Sequence, residues 1–252
     1  MDKSKGTTGK GTSAKRQAIR DKRRQEQRKQ RLYIILGIVA VALIIALIVI
    51  IPSLQPAGDI VTVTPVELPM VDGRSLGDPN APVKIDVYVD FQCPSCKNFS
   101  EDVEPEIFDQ LVASGDVFYT FRHFPFLDDQ VVGKESDQAA NASMCAMEQD
   151  RFWDYHAILF ANWNGENQNA FSDKRLVAFA ESLGLDMDTF NTCFEANKFK
   201  ADIDSDLAAG RMKGVQGTPS VFVNGEILTP GYVPSFAEIS QAVDAALAES
   251  GN

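Results

Sequence analysis

Four cysteines and two histidines among 252 residues leave little material for metal chemistry. A structural zinc site wants a second pair of ligands at short spacing. Apart from Cys93 and Cys96, the candidates are too scattered: Cys145 and Cys193 stand 48 residues apart, and His123 and His156 form no short pair, so zinc is disfavoured. So few cysteines also exclude a disulfide-dense scaffold, while 44% hydrophobic and 23% charged residues exclude wholesale disorder and collagen-like repeats. Basic residues are scarce beyond position 51. Residues 52–252 hold 12 Lys/Arg against 32 Asp/Glu, a net charge of −20. Binding phosphates needs a basic face, so nucleic acid is not an expected partner.

Residues 32–51, LYIILGIVAVALIIALIVII, carry no charge at all. Twenty helical residues at ~1.5 Å each span the ~30 Å apolar core of a bilayer, which predicts a transmembrane helix. A cleaved leader is the alternative, but its apolar stretch is typically about 7–15 residues and ends in an A-x-A-like site, and neither feature is present. No cysteine follows the helix, which argues against a lipoprotein. Residues 1–31 hold 12 Lys/Arg against 3 Asp/Glu, whereas no basic residue follows the helix until Arg74. That asymmetry predicts a cytoplasmic basic tail (residues 1–31), lying on anionic membrane lipid, and an extracytoplasmic remainder. Residues 52–76, with Pro52, Pro56, Gly58, Pro65 and Pro69, read as a linker with a short strand at Ile60 to Val63.

The chemistry is concentrated at Cys93-Pro94-Ser95-Cys96. Before it, VKIDVYV (83–89) alternates in the manner of a strand; after it, Phe99, Val103, Ile107, Phe108 and Leu111 recur at helical spacing. Cys93 is thereby placed at a helix N-terminus, where unpaired N–H groups and the helix dipole stabilise a thiolate. Cys93 is the expected nucleophile. Cys96, one turn further in, is positioned to resolve a mixed disulfide on Cys93. A plain structural staple is the duller alternative, but closing so small a loop constrains little chain entropy. Further strands are expected at Val117 to Arg122 and at Ser220 to Val223, the latter turning through Asn224-Gly225 into Glu226 to Leu228. Between them, residues 128–213 read as helices, with apolar periodicity at Ala139 to Met147, Phe152 to Phe160, Leu176 to Leu183 and Phe190 to Phe199; a last helix covers Phe236 to Leu247.

These segments resemble the DsbA-like thiol:disulfide oxidoreductases of the thioredoxin superfamily. The likeness is carried in order by Gly77-Asp78-Pro79-Asn80-Ala81-Pro82-Val83, Asp90-Phe91-Gln92-Cys93-Pro94-Ser95-Cys96, Phe121-Arg122-His123-Phe124-Pro125, Cys145-Ala146-Met147-Glu148-Gln149, Phe152-Trp153-Asp154-Tyr155-His156 and Gly214-Val215-Gln216-Gly217-Thr218-Pro219-Ser220. The resemblance implies an α/β thioredoxin-like domain (residues 77–127 and 214–250) interrupted by a helical insertion (residues 128–213). It further implies a cis Thr218-Pro219 peptide beside the C-x-x-C, with both residues contacting substrate. Two departures stand out. Pro94-Ser95 replaces the Pro-His pair of the best-known member, and Val87 occupies the strand position where many relatives carry an acid, leaving Asp90 as the nearest substitute and tuning residue.

In an oxidising compartment Cys145 and Cys193 are expected to form a structural disulfide, two buried free thiols being the alternative. His156 reads as a packing residue; His123, following a strand, is a weaker candidate for a place near the site. The expected activity is donation of disulfides to reduced or unfolded extracytoplasmic proteins, with Cys93-Cys96 as the redox centre and no separate cofactor. A quinone-linked DsbB-like or vitamin K epoxide reductase-like membrane protein is the implied reoxidant. A reductase or isomerase using the same cysteines, and a chaperone-like binding module, are the alternatives.

Overall fold

The computed structural model describes residues 10–54, 57–65, 67–130 and 133–250. The chain divides into two units, Met1–Pro56 and Ala57–Asn252. In the first, α1 (Lys10–Leu54) continues the expected apolar helix back through the basic segment, because Lys, Arg, Gln and Glu are good helix formers. Its Lys22–Ile48 stretch is long and apolar enough to cross a membrane.

The second unit is built on a six-stranded sheet in the order β1-β2-β4-β3-β5-β6. The strands are β1 (Val71–Asp72), β2 (Ser75–Leu76), β3 (Val83–Val89), β4 (Val117–His123), β5 (Ser220–Val223) and β6 (Glu226–Ile227). β3 and β4 run parallel, and every other pairing is antiparallel. Between β3 and β4 the chain crosses over through α2 (Pro94–Asp102), α3 (Glu104–Glu106) and a π-helical stretch, Ile107–Val112. One helix was expected here. Pro105 lacks an N–H and cannot continue the helical ladder, so the helix breaks at Val103 (φ −116°), resumes at Glu104 and ends in the π-helical stretch, where Ala113 N bonds Phe108 O.

The linker expected over 52–76 is corrected. Its last residues form β1 and β2, with Leu76 fully buried and β2 paired to β4. Two-residue strands show no periodicity in a sequence. No strand forms over 60–63; instead the Asn162 side-chain amide bonds both polar groups of the Val61 backbone, at 2.9 and 2.8 Å. Gly77 (φ +95°) ends this segment, and a Cβ there would lie 2.4 Å from the Val117 carbonyl oxygen.

Between β4 and β5 lie α4 (Glu135–Met147), α5 (Phe152–Ala161), α6 (Asp173–Ser182), α7 (Met187–Glu195) and α8 (Lys200–Met212); α9 (Phe236–Ser250) follows β6. The expected Phe190 to Phe199 helix stops at Glu195, with Asn197 at φ +48° turning the chain into α8. A disulfide, Cys145–Cys193, joins α4 to α7.

The two sheet faces differ in chemistry. On one, Phe121 packs against Phe91, Phe152 and Trp153. On the other, Asp86 pairs with Arg122, and Asp206 of α8 pairs with Arg74 and Arg122 while accepting the His123 backbone N–H at 3.1 Å. Asp206→Ala would leave two arginines and a buried N–H without that acceptor. The expected loss is about 2–4 kcal/mol, read by urea unfolding of the full chain in detergent.

Candidate active site

β3 ends at Val89, and the turn Asp90-Phe91-Gln92 delivers Cys93 to the start of α2. Cys93 is the N-cap residue, with extended backbone (φ −73°, ψ 124°), and Pro94 follows in the first turn, where its missing N–H costs nothing. The amides of Cys96 and Lys97 both donate to the Cys93 carbonyl, at 3.1 Å each. The Cys93 thiol thus sits over the open N-terminal end of a helix.

On its far side the thiol meets a second loop. Thr218-Pro219 is a cis peptide, and Cys93 Sγ donates to the Thr218 carbonyl oxygen at 3.2 Å. Ser95, Gly217, Thr218, Pro219, Tyr232 and Val233 line a groove of about 560 Å³ alongside. The backbone therefore brings together Cys93, Cys96, Ser95, Thr218 and Pro219, while Pro94 is exposed at the rim.

The two sulfurs are not equivalent. Both are free thiols, Cys93 being 8% exposed and Cys96 1%. The Cys96 hydrogen bond, helped by the Thr218 side chain and the Cys96 and Ser95 backbone, outweighs burial and lowers the Cys93 pKa to about 6. Burial and the neighbouring Cys93 push Cys96 well above its ordinary value. At neutral pH the outer sulfur is a thiolate and the inner one keeps its proton.

Asp90 is 1% exposed, and its carboxylate accepts from the backbone N–H of Gln92 (2.9 Å) and Leu127 (3.0 Å). Burial pushes it up to about 7, against hydrogen bonds from Ser136, Gln92 and Leu127 that hold it down. Its side chain is thus spent on shaping the turn.

A second buried acid opens α3. Glu104, 2% exposed, accepts from the Tyr119 hydroxyl, and its Oε2 lies 3.3 Å from His156 Nε2. Burial raises the Glu104 pKa, but His156, Tyr119 and Ser100 together outweigh it and hold the carboxyl below its usual range. Tyr119, pushed well up by burial, also feels the charges of Glu104 and Cys96. His156 packs as expected, among Phe91, Phe121, Phe152, Trp153 and Phe160, and lies beside Glu104 as well. Sequence reasoning passed over Glu104, although its register beside Ser100 and Ile107 on a helix with a buried face was the available signal. His123 packs among Phe91, Phe121 and Phe152, and neither ring nitrogen has a hydrogen-bond partner among the described residues. Burial, Arg74 and His156 push its pKa far down, so it is a neutral core residue.

Known proteins resemble this chain in sequence and fold. A sequence model of the thioredoxin family matches residues 70–245. Probable disulfide bond formation protein D of Bacillus cereus is 28% identical over 175 residues, covering 68% of this chain and 77% of that protein. Disulfide bond formation protein D of Bacillus subtilis is 29% identical over 164 residues, covering 64% and 72%. The crystal structure of oxidised BdbD from Bacillus subtilis superposes with a TM-score of 0.62 at 27% identity, covering 76% of this chain and 100% of that one. Together with two thiols so unequally held at a helix start, these likenesses place the chain: it belongs to the thioredoxin family and is a DsbA-like thiol:disulfide oxidoreductase.

Proposed function

We propose that the enzyme donates the Cys93-Cys96 disulfide to reduced, unfolded proteins outside the cytoplasm, anchored by α1 with its basic end in the cytoplasm. A substrate thiolate attacks Cys93 Sγ, the bond to Cys96 breaks, and the Cys96 sulfur takes up a proton. The substrate's second thiol, on losing its proton, then attacks the substrate sulfur of the mixed disulfide. Cys93 departs as a thiolate, so the substrate is oxidised and the enzyme pair gains two electrons. Thr218 and Pro219 hold the substrate backbone beside Cys93, and Pro94 and Ser95 shape the rim. Resetting the pair needs an oxidant in the same membrane, for which a quinone-linked DsbB-like or vitamin K epoxide reductase-like protein has the right chemistry. Within the enzyme itself the two cysteines are the redox centre, with no separate cofactor.

The observation that carries this reading is the Cys93 thiolate, lowered to about 6. A stable thiolate is a good leaving group and stabilises the reduced enzyme, which makes the disulfide oxidising. The sign follows directly. A depressed folded-state pKa stabilises the reduced protein fully above about pH 9, and that stabilisation, at most about 4 kcal/mol, is lost as pH falls through 6. Glutathione equilibration of the full chain is expected to give a potential near about −120 mV. Its pH dependence should break near 6, from about 59 mV per pH unit below to about 30 mV above. A potential near about −270 mV with no break would point instead to a reductant.

A further inference from the structure

Gln92, immediately before the nucleophile, is 0% exposed. A buried amide is costly unless its donors and acceptor are satisfied. Here the partners of its side chain all come from the segments between β4 and β5. Its Nε2 donates to Ser136 Oγ at 2.8 Å and to Asp128 Oδ1 at 3.1 Å, and its Oε1 accepts the Asn167 backbone N–H at 2.7 Å. Its main-chain oxygen accepts Trp163 Nε1–H, also at 2.7 Å. Asp128 in turn accepts from the backbone N–H of Ser136 and Asp137 at the start of α4, so the clasp is itself held in place.

We propose that Gln92 is a positioning residue, through which the helical insertion holds Cys93 in register with the Thr218 carbonyl and the end of α2. The inference rests on the oxidoreductase reading and adds residues to it. The Gln92 carbonyl belongs to the same peptide plane as the Cys93 N–H, which donates to the Asp90 carbonyl at 3.0 Å. Trp163 and Asp90 therefore grip that plane from both edges. With it held, Cys93 Sγ has only its own side-chain torsion to adjust as its partner changes from Cys96 to a substrate sulfur and then to none. Were the indole withdrawn, the carbonyl would be free to turn its negative end toward the thiolate, raising the Cys93 pKa and misaligning the sulfur for in-line exchange.

Trp163→Phe removes one hydrogen bond and keeps the aromatic bulk. The experiment uses the full chain in detergent and reads thiolate absorbance against pH, the rate of exchange with a dithiol peptide, and the melting temperature. The expected result is a higher Cys93 midpoint and about a fivefold slower exchange at pH 6, with only the small fall in melting temperature that one lost hydrogen bond causes, since one neutral hydrogen bond is worth about a factor of five. Gln92→Glu sets a carboxylate against Asp128 and is expected to do more, and adding Asp128→Asn to it should restore part of the rate. A purely structural role would move melting and leave the titration alone. Wild-type titration and exchange in Trp163→Phe would overturn the proposal even if Gln92→Glu failed to fold. A wild-type chain that exchanged nothing would sink the functional reading itself, a separate outcome.

Discussion

A chain carrying Cys93→Ser is expected to transfer no disulfide above background, a loss on the order of a thousandfold or more. Cys96→Ala has no disulfide to donate either, but its Cys93 thiolate should attack the disulfide of an oxidised substrate, expel one substrate thiolate and remain trapped as a mixed disulfide. The difference follows from access. Cys96 is 1% exposed and retains its proton, so an incoming sulfur can reach only Cys93. An adduct formed in that reverse direction persists, because Cys96 is the enzyme sulfur that would attack Cys93 from the inner side and release the substrate. Reactivation of reduced, unfolded ribonuclease reads the first effect, and non-reducing electrophoresis reads the second. A coupled shift is expected: because the Cys96 hydrogen bond does most to lower Cys93, Cys96→Ala should raise the Cys93 midpoint from about 6. If Cys93→Ser kept full activity toward unfolded chains, the chaperone-like alternative would stand in place of the enzyme.

Removing the second disulfide should cost stability rather than chemistry. Cys145 and Cys193 join α4 to α7 across a sequence separation of 48, with Cα atoms 5.7 Å apart, and both residues are buried. Freeing a loop of that length restores chain entropy to the unfolded state worth about 4 kcal/mol. In a domain of this size that corresponds to a fall of about 8–16 °C in Tm. The Cys145→Ala, Cys193→Ala double variant is therefore expected to melt far earlier than the parent, yet to exchange disulfides within about twofold of it while folded, since neither sulfur touches the site. Calorimetry and the ribonuclease assay separate the two effects. An unchanged Tm would show that packing between α4 and α7 suffices alone.

The redox pair was legible because its signals are local: alternation in β3, helical spacing in α2 and two cysteines three residues apart lie within 30 residues. β4, β5 and most of the helices between them show in the same way, each from its own periodicity. Other features depend on partners far apart in the chain. Trp163 and Asn167 meet Gln92 across separations of 71 and 75 residues, and Arg74 meets Asp206 across 132. Nothing near Gln92 in sequence says that its amide will be enclosed, and nothing near Glu104 names Tyr119 or His156 as its partners. β2 is a strand only because β4 offers it an unpaired edge, and β1 only because β2 then offers the next.

By itself, then, the sequence determined where the thiols lie, which of them leads a helix, and that a long uncharged helix precedes them, because periodicity and helix-end chemistry are short-range. Only the tertiary structure decided that Glu104 is buried against Tyr119 and His156, why Asp90 shapes the turn, and how the helical insertion grips the residue before the nucleophile. Those are matters of burial and long-range hydrogen bonding, and a buried polar group finds its partners through the closed core rather than along the chain.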